Sequence, residues 1–126
     1  MLVGKSFSRY LENLGHAFDG LRDVLKSLDA VIIESNYDAE MLENGPYPEH
    51  LKLRISGDGG HLSNKDSAML LKQTKTDRLQ WACLCHLSEE NNEPARAREI
   101  HREILGDDFP VHVASRYDVS ELLELQ

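Results

Sequence analysis

Ala30-Val31-Ile32-Ile33-Glu34-Ser35-Asn36-Tyr37-Asp38 is the stretch on which the fold turns. Four apolar residues, three of them β-branched, run without alternation into an abrupt polar cluster. Such a run reads as a central parallel strand buried on both faces, with its carboxyl end marked by Glu34. Upstream, Phe18, Leu21, Val24, Leu25 and Leu28 recur at helical spacing and form one apolar stripe, closed by Asp29. Residues 1–16 carry little pattern.

Downstream, a short helix is expected from about Tyr37 to Glu43, ended by Asn44-Gly45-Pro46, with the glycine at the carboxyl cap. Pro48 can open a second helix that carries Leu51, Leu53 and Ile55 toward Gly57-Asp58-Gly59-Gly60. Ser63 fits an amino-terminal cap, with Asp66 three residues on, ahead of Ala68-Met69-Leu70-Leu71. Leu79–Cys85 reads as a second buried strand ending at His86. Pro94 opens a helix through Ala97, Ile100 and Ile104 that Gly106 stops. Val111–Ala114 is a third short strand, and Val119–Leu125 a last amphipathic turn or two. Helices alternating with strands predict an α/β fold with a mainly parallel sheet.

Composition sets the outer bounds. A chain of 126 residues with 40% hydrophobic and 29% charged residues suits one folded domain. Its 14 basic against 22 acidic residues give a net charge of −8, which argues against a protein that merely wraps nucleic acid or lies on anionic lipid. A nucleic-acid enzyme with a local basic channel stays open. Two cysteines one residue apart, Cys83 and Cys85, make no disulfide framework and suit a reducing cytoplasm. No apolar run is long enough to span a membrane, and Met1-Leu2-Val3-Gly4-Lys5 lacks a signal-peptide core.

Three polar clusters follow predicted strands or turns, where open α/β sheets place ligands: Glu34–Asp38, Gly59-Gly60-His61-Leu62-Ser63-Asn64, and His86–Asn92. A histidine at a strand end suits a metal, and one beside a helix amino terminus suits a phosphate or a leaving group. Each has a plainer reading. Glu34 and Asp38 can be helix caps, and His61 a loop histidine with a structural hydrogen bond. Strand alternation points Cys83 and Cys85 one way and His86 the other, so both cysteines read as small buried apolar residues. His16, His50, His101 and His112 have no supporting neighbours and read as surface or edge residues. Trp81 reads as core or interface.

Taken together, Ile33-Glu34-Ser35-Asn36-Tyr37-Asp38-x-x-Met41-Leu42-x-x-Gly45-x-Tyr47-Pro48, Gly60-His61-Leu62-Ser63-Asn64 and Cys85-His86-Leu87-Ser88-Glu89-Glu90-Asn91-Asn92 resemble the carboxyl-terminal half of a metallo-β-lactamase-fold hydrolase. The nearest branch is the bacterial exonuclease-like proteins often encoded beside a cell-wall two-component regulator. The resemblance spans residues 14–126. Residues 1–13 read as an unrelated or disordered segment. It implies half of an αββα sandwich, mainly a single sheet flanked by helices, from a family in which Zn or Mn activates water for attack on a phosphodiester, ester or amide. By position, His86 resembles the last metal-ligand histidine. His61 resembles a non-ligand histidine that contacts the scissile phosphate or assists the leaving group. Glu34, Asp38, Ser88 and Asn92 would orient these groups or order their loops.

The sequence also departs from the family pattern. The His-x-His-x-Asp-His motif and the histidine that follows it are absent. Asn13 stands before Leu14-Gly15, where the family places a bridging aspartate, and an amide cannot bridge two cations as a carboxylate does. The expectation is therefore a fragment of a metal-dependent nuclease that holds no stable metal and is inactive alone. One rival is a split enzyme completed by a polypeptide carrying the amino-terminal half-domain. Another is a small α/β anion-binding module built on the glycine-rich turn and His61. Self-association through an uncovered sheet face is a further expectation.

Overall fold

In the computed structural model, residues 2–3, 17–57 and 59–114 are described. Strand β2 (Ala30–Glu34) forms where the β-branched run predicts it. It pairs in parallel with β3 (Trp81–Cys85) over its full length, from Ala30 opposite Trp81 to Glu34 opposite Cys85. Strand β4 (Val111–Val113) lies parallel on the outer side of β3, and the two-residue β1 (Leu2–Val3) on the outer side of β2. The sheet order is β1-β2-β3-β4. Among the described residues, five helices connect or flank these strands: α1 (Ala17–Lys26), α2 (Ala39–Asn44), α3 (Glu49–Ser56), α4 (Asn64–Thr74) and α5 (Pro94–Leu105).

The core joins Val31 and Ile33 of β2 and Ala82 and Leu84 of β3 to Leu25 of α1, Leu71 of α4 and Ala97 of α5. Helix α5 packs against α4 and β4, and α1 packs against α4. Each fully buried leucine or isoleucine here contributes about 1.5–3 kcal/mol. Alternation along β2 corrects the expectation of burial on both faces. Val31 and Ile33 are inside, whereas Ile32 between them is 41% exposed. The three helices cover one face. On the opposite one, Trp81 and His112 meet edge to face at 6.2 Å.

Local chemistry explains the boundaries. Ser63 Oγ accepts the Asp66 N–H and starts α4, Pro94 occupies the first turn of α5, and Gly106 ends α5 at φ 93°, a left-handed conformation suited to glycine. Gly45 does cap α2, but through extended backbone rather than a left-handed turn.

The helix expected after Pro48 forms but stays outside the core, and one further expectation is overturned. No residue of α3 is buried, and Leu53 is 63% exposed. Leu51, Leu53 and Ile55 are spaced by two, and a helix sends residues so spaced to different sides. His101, expected at the surface, is 0% exposed. It lies four residues after buried Ala97, on the same inward stripe, and the small alanine leaves room for an imidazole. Val119–Leu125, Asn13 and most of residues 1–13 lie outside the described residues.

Candidate active site

The three polar clusters meet at the carboxyl ends of β2 and β3. The pairing continues one step past the strands, with Ser35 N–H donating to the Cys85 carbonyl at 3.0 Å. Asn36 then ties two loops together: its N–H donates to the Leu62 carbonyl at 2.9 Å, and its side-chain amide to the His86 carbonyl at 2.6 Å. The Asn36 carbonyl accepts Ser88 N–H at 2.6 Å. His86 sits at φ 57°, in the left-handed region that a non-glycine residue enters at a cost, so β3 stops there.

Glu34 is the hub of the arrangement. Its Oε1 accepts Leu62 N–H at 2.9 Å, and its Oε2 faces His61 Nδ1 at 2.9 Å and His86 Nδ1 at 3.3 Å. The Glu34 side chain is 7% exposed, against 44% for His61 and 73% for His86. Facing a carboxylate oxygen, Nδ1 must carry the proton on both rings. Each Nε2 is then left with its lone pair when the ring is neutral. A carboxylate behind an imidazole in this way fixes both ring orientation and tautomer, as it does behind metal-bound or general-acid histidines.

The other candidate residues have different partners. Asp38 caps α2, its Oδ2 accepting Met41 N–H at 3.1 Å, and its Oδ1 pairs with Arg96 Nε at 3.2 Å. Both oxygens are thus engaged, one in the plainer capping role and one in the ion pair with Arg96. Ser88 Oγ accepts Asn91 N–H at 3.1 Å and orders the loop after His86. Asn92 forms a reciprocal amide pair with Asn64 at 2.9 Å, donates to the Ser35 carbonyl and accepts Glu93 N–H. Ser35 Oγ donates to Asn64 Oδ1 at 2.6 Å. Ser35, Asn36 and Asn64 were not singled out as site residues in the sequence, because their value lies in partners 28 to 57 residues away.

A cleft of about 890 Å³ opens beside the imidazoles. His61, His86, Asn36 and Ser88 line it together with apolar Leu87, Val113 and Ala114, and with Cys85 and Arg98. Burial, then the Glu34 charge, then Cys83 push the Cys85 thiol up to about 11, so it is no nucleophile at neutral pH. The glycine-rich turn is committed to packing. A Cβ on Gly60 would collide with the Arg54 and Ile55 carbonyls, and His61 N–H donates to the Ile55 carbonyl at 2.9 Å. Among the described residues, no three His, Cys, Asp or Glu side chains are grouped to hold a metal ion. Two imidazoles with one shared carboxylate behind them fall short of the three protein ligands of a catalytic zinc site.

No protein-family model matches the chain. It is 35% identical over 109 residues to the exodeoxyribonuclease YycJ of Bacillus anthracis, an alignment covering 81% of this chain and 41% of that protein. It is 40% identical over 122 residues to the exodeoxyribonuclease WalJ of Streptococcus pneumoniae serotype 2, covering 91% of this chain and 45% of that protein. The WalJ of Streptococcus pneumoniae strain R6 gives the same figures. Over most of its length the chain is therefore similar to bacterial proteins named exodeoxyribonucleases, and it spans less than half of theirs.

Proposed function

We propose that the chain is the carboxyl-terminal, imidazole-bearing portion of a metallo-β-lactamase-fold nuclease that hydrolyses DNA phosphodiester bonds in the cytoplasm. The observation that carries this reading is the Glu34 carboxylate holding His61 and His86 by Nδ1 at the edge of one cleft. Similarity to proteins named exodeoxyribonucleases supports the substrate class. A parallel sheet covered by helices on one face, with Ile32 exposed on the other, is compatible with half of a two-sheet sandwich. No helix among the described residues is long and apolar enough to cross a membrane.

In this reading His61 acts in its doubly protonated form: Nδ1–H stays on Glu34, and Nε2–H donates to the scissile phosphate or passes its proton to the leaving oxygen, which leaves the ring neutral. The Nε2 of His86 is one ligand for Zn or Mn. The remaining ligands come from outside the described residues, on an amino-terminal half-domain. The chain by itself then holds no metal tightly and turns over no substrate.

The test assays DNA cleavage and metal content for the 126-residue chain alone and for a chimera in which it replaces the aligned segment of the Streptococcus pneumoniae relative. Expected are no turnover and no stoichiometric metal for the chain alone. The chimera should cleave DNA and lose the activity in His61→Ala or His86→Ala. Stoichiometric metal with turnover in the isolated chain would overturn its assignment as an incomplete enzyme. A folded, metal-loaded chimera indifferent to both substitutions would overturn the roles of the two histidines.

A further inference from the structure

Arg98, which lacks any sequence motif, lies on α5 and lines the same cleft as His61 and His86. Its neighbours on the helix have evident work. Arg96 pairs with Asp38 at 3.2 Å and Glu99 at 3.4 Å, Ala97 is in the core, and His101 is buried. Arg98 differs. Its Nε is buried and finds no hydrogen-bond acceptor among the described residues. A buried guanidinium N–H without an acceptor is uncommon and costly, and a guanidinium fork matches the oxygens of a phosphate better than any other side chain does. Acidic side chains are not missing from the neighbourhood: Glu34 stands behind the imidazoles and Glu89 lines the cleft. In a chain of net charge −8, a phosphate therefore needs a local cation here.

We infer that Arg98 anchors a phosphate oxyanion of the molecule that occupies the cleft. On the nuclease reading, from which the identity of that molecule is taken, the oxyanion is a backbone phosphate of a DNA strand whose reacting phosphate lies at His61. Arg98 then adds binding and register.

The experiment titrates the full chain with inorganic phosphate and with a short single-stranded DNA, in a chelating buffer, for wild type, Arg98→Met, Arg98→Lys and Arg102→Met. Arg102 lies one turn along α5 and lines, with Arg98, Glu99, Glu103 and Asp107, a separate groove outside the cleft. Expected is a loss of about tenfold or more in phosphate affinity for Arg98→Met, with most of it kept in Arg98→Lys and no change in Arg102→Met. The slope of log affinity for the DNA against log salt should fall by about 0.7 in Arg98→Met, as for one lost phosphate contact on a single strand. Unchanged binding in folded Arg98→Met overturns the inference, as does an equal loss in Arg102→Met or no phosphate binding by wild type. None of these outcomes depends on hydrolysis. An Arg98-dependent phosphate site in a chain whose chimera cleaves no DNA would sink the nuclease reading and leave this one standing.

Discussion

Replacing Glu34 by glutamine changes one oxygen to an amide and should invert the chemistry of both imidazoles. The carboxylate now accepts from Leu62 N–H, His61 Nδ1–H and His86 Nδ1–H at 2.9, 2.9 and 3.3 Å. Glutamine keeps one acceptor. If its oxygen stays on Leu62 N–H, its NH₂ faces both Nδ1 atoms, which must then lose their protons and become acceptors. The rings shift to the Nε2–H tautomer, and the lone pair moves to the wrong nitrogen for a ligand. In stability terms the part-buried bond to Leu62 dominates, because the imidazoles are 44% and 73% exposed and their contacts resemble surface pairs. A charge-assisted bond of the first kind is worth about 1.5–3 kcal/mol and a surface pair about 0.2–1. Glu34→Ala should therefore cost about 2–4 kcal/mol, and Glu34→Gln about 1 because a neutral bond to Leu62 survives. Long-range nitrogen–proton NMR of the histidine rings reads the tautomers, and urea melts read the stability. Wild-type rings already in the Nε2–H form, or a Glu34→Ala variant within about 0.5 kcal/mol of wild type, would refute the assignment of Glu34 as the organising group.

Three other outcomes are expected. At φ 57° a Cβ is a liability, so His86→Gly should be more stable than His86→Ala by about 1 kcal/mol, the reverse of the usual order; urea melts of the pair check it. Burial lowers the His101 pKa below its ordinary value of 6.5. Above that pH the ring is neutral in both states, and below it the unfolded chain takes up the proton first. Stability should then fall on acidification by up to about 1.4 kcal/mol per pH unit until the folded ring titrates, and His101→Gln should flatten that slope. With its thiol raised to about 11, Cys85 should be alkylated by iodoacetamide at pH 8 roughly a hundredfold more slowly than an unperturbed cysteine, and normally in urea. Fast alkylation of the folded chain would contradict its burial.

Local signals carried much of the architecture. The β-branched run, Ser63, Pro94 and Gly106 each act through neighbours within a turn or two, so strands, caps and the parallel α/β class were legible in the sequence. What failed was solvent geometry. Ile32 could be assigned a side only once the helices were known to cover a single face. The burial of His101 depends on Ser67, whose Oγ lies 3.3 Å from its Nε2 and 34 residues away.

For the site, the sequence by itself determined the three polar clusters and named Glu34, His61 and His86 among their members. Tertiary structure decided which of two nearby carboxylates joins the histidines. Glu34 and Asp38 are four residues apart and equally acidic, yet only Glu34 ends a strand whose register sets it opposite Cys85, one residue before His86. That register brings together groups 27 and 52 residues apart, while Asp38, just past the strand, turns to cap α2 and to pair with Arg96. Sheet pairing is a long-range choice made by the packed core, and no local pattern of residues encodes it.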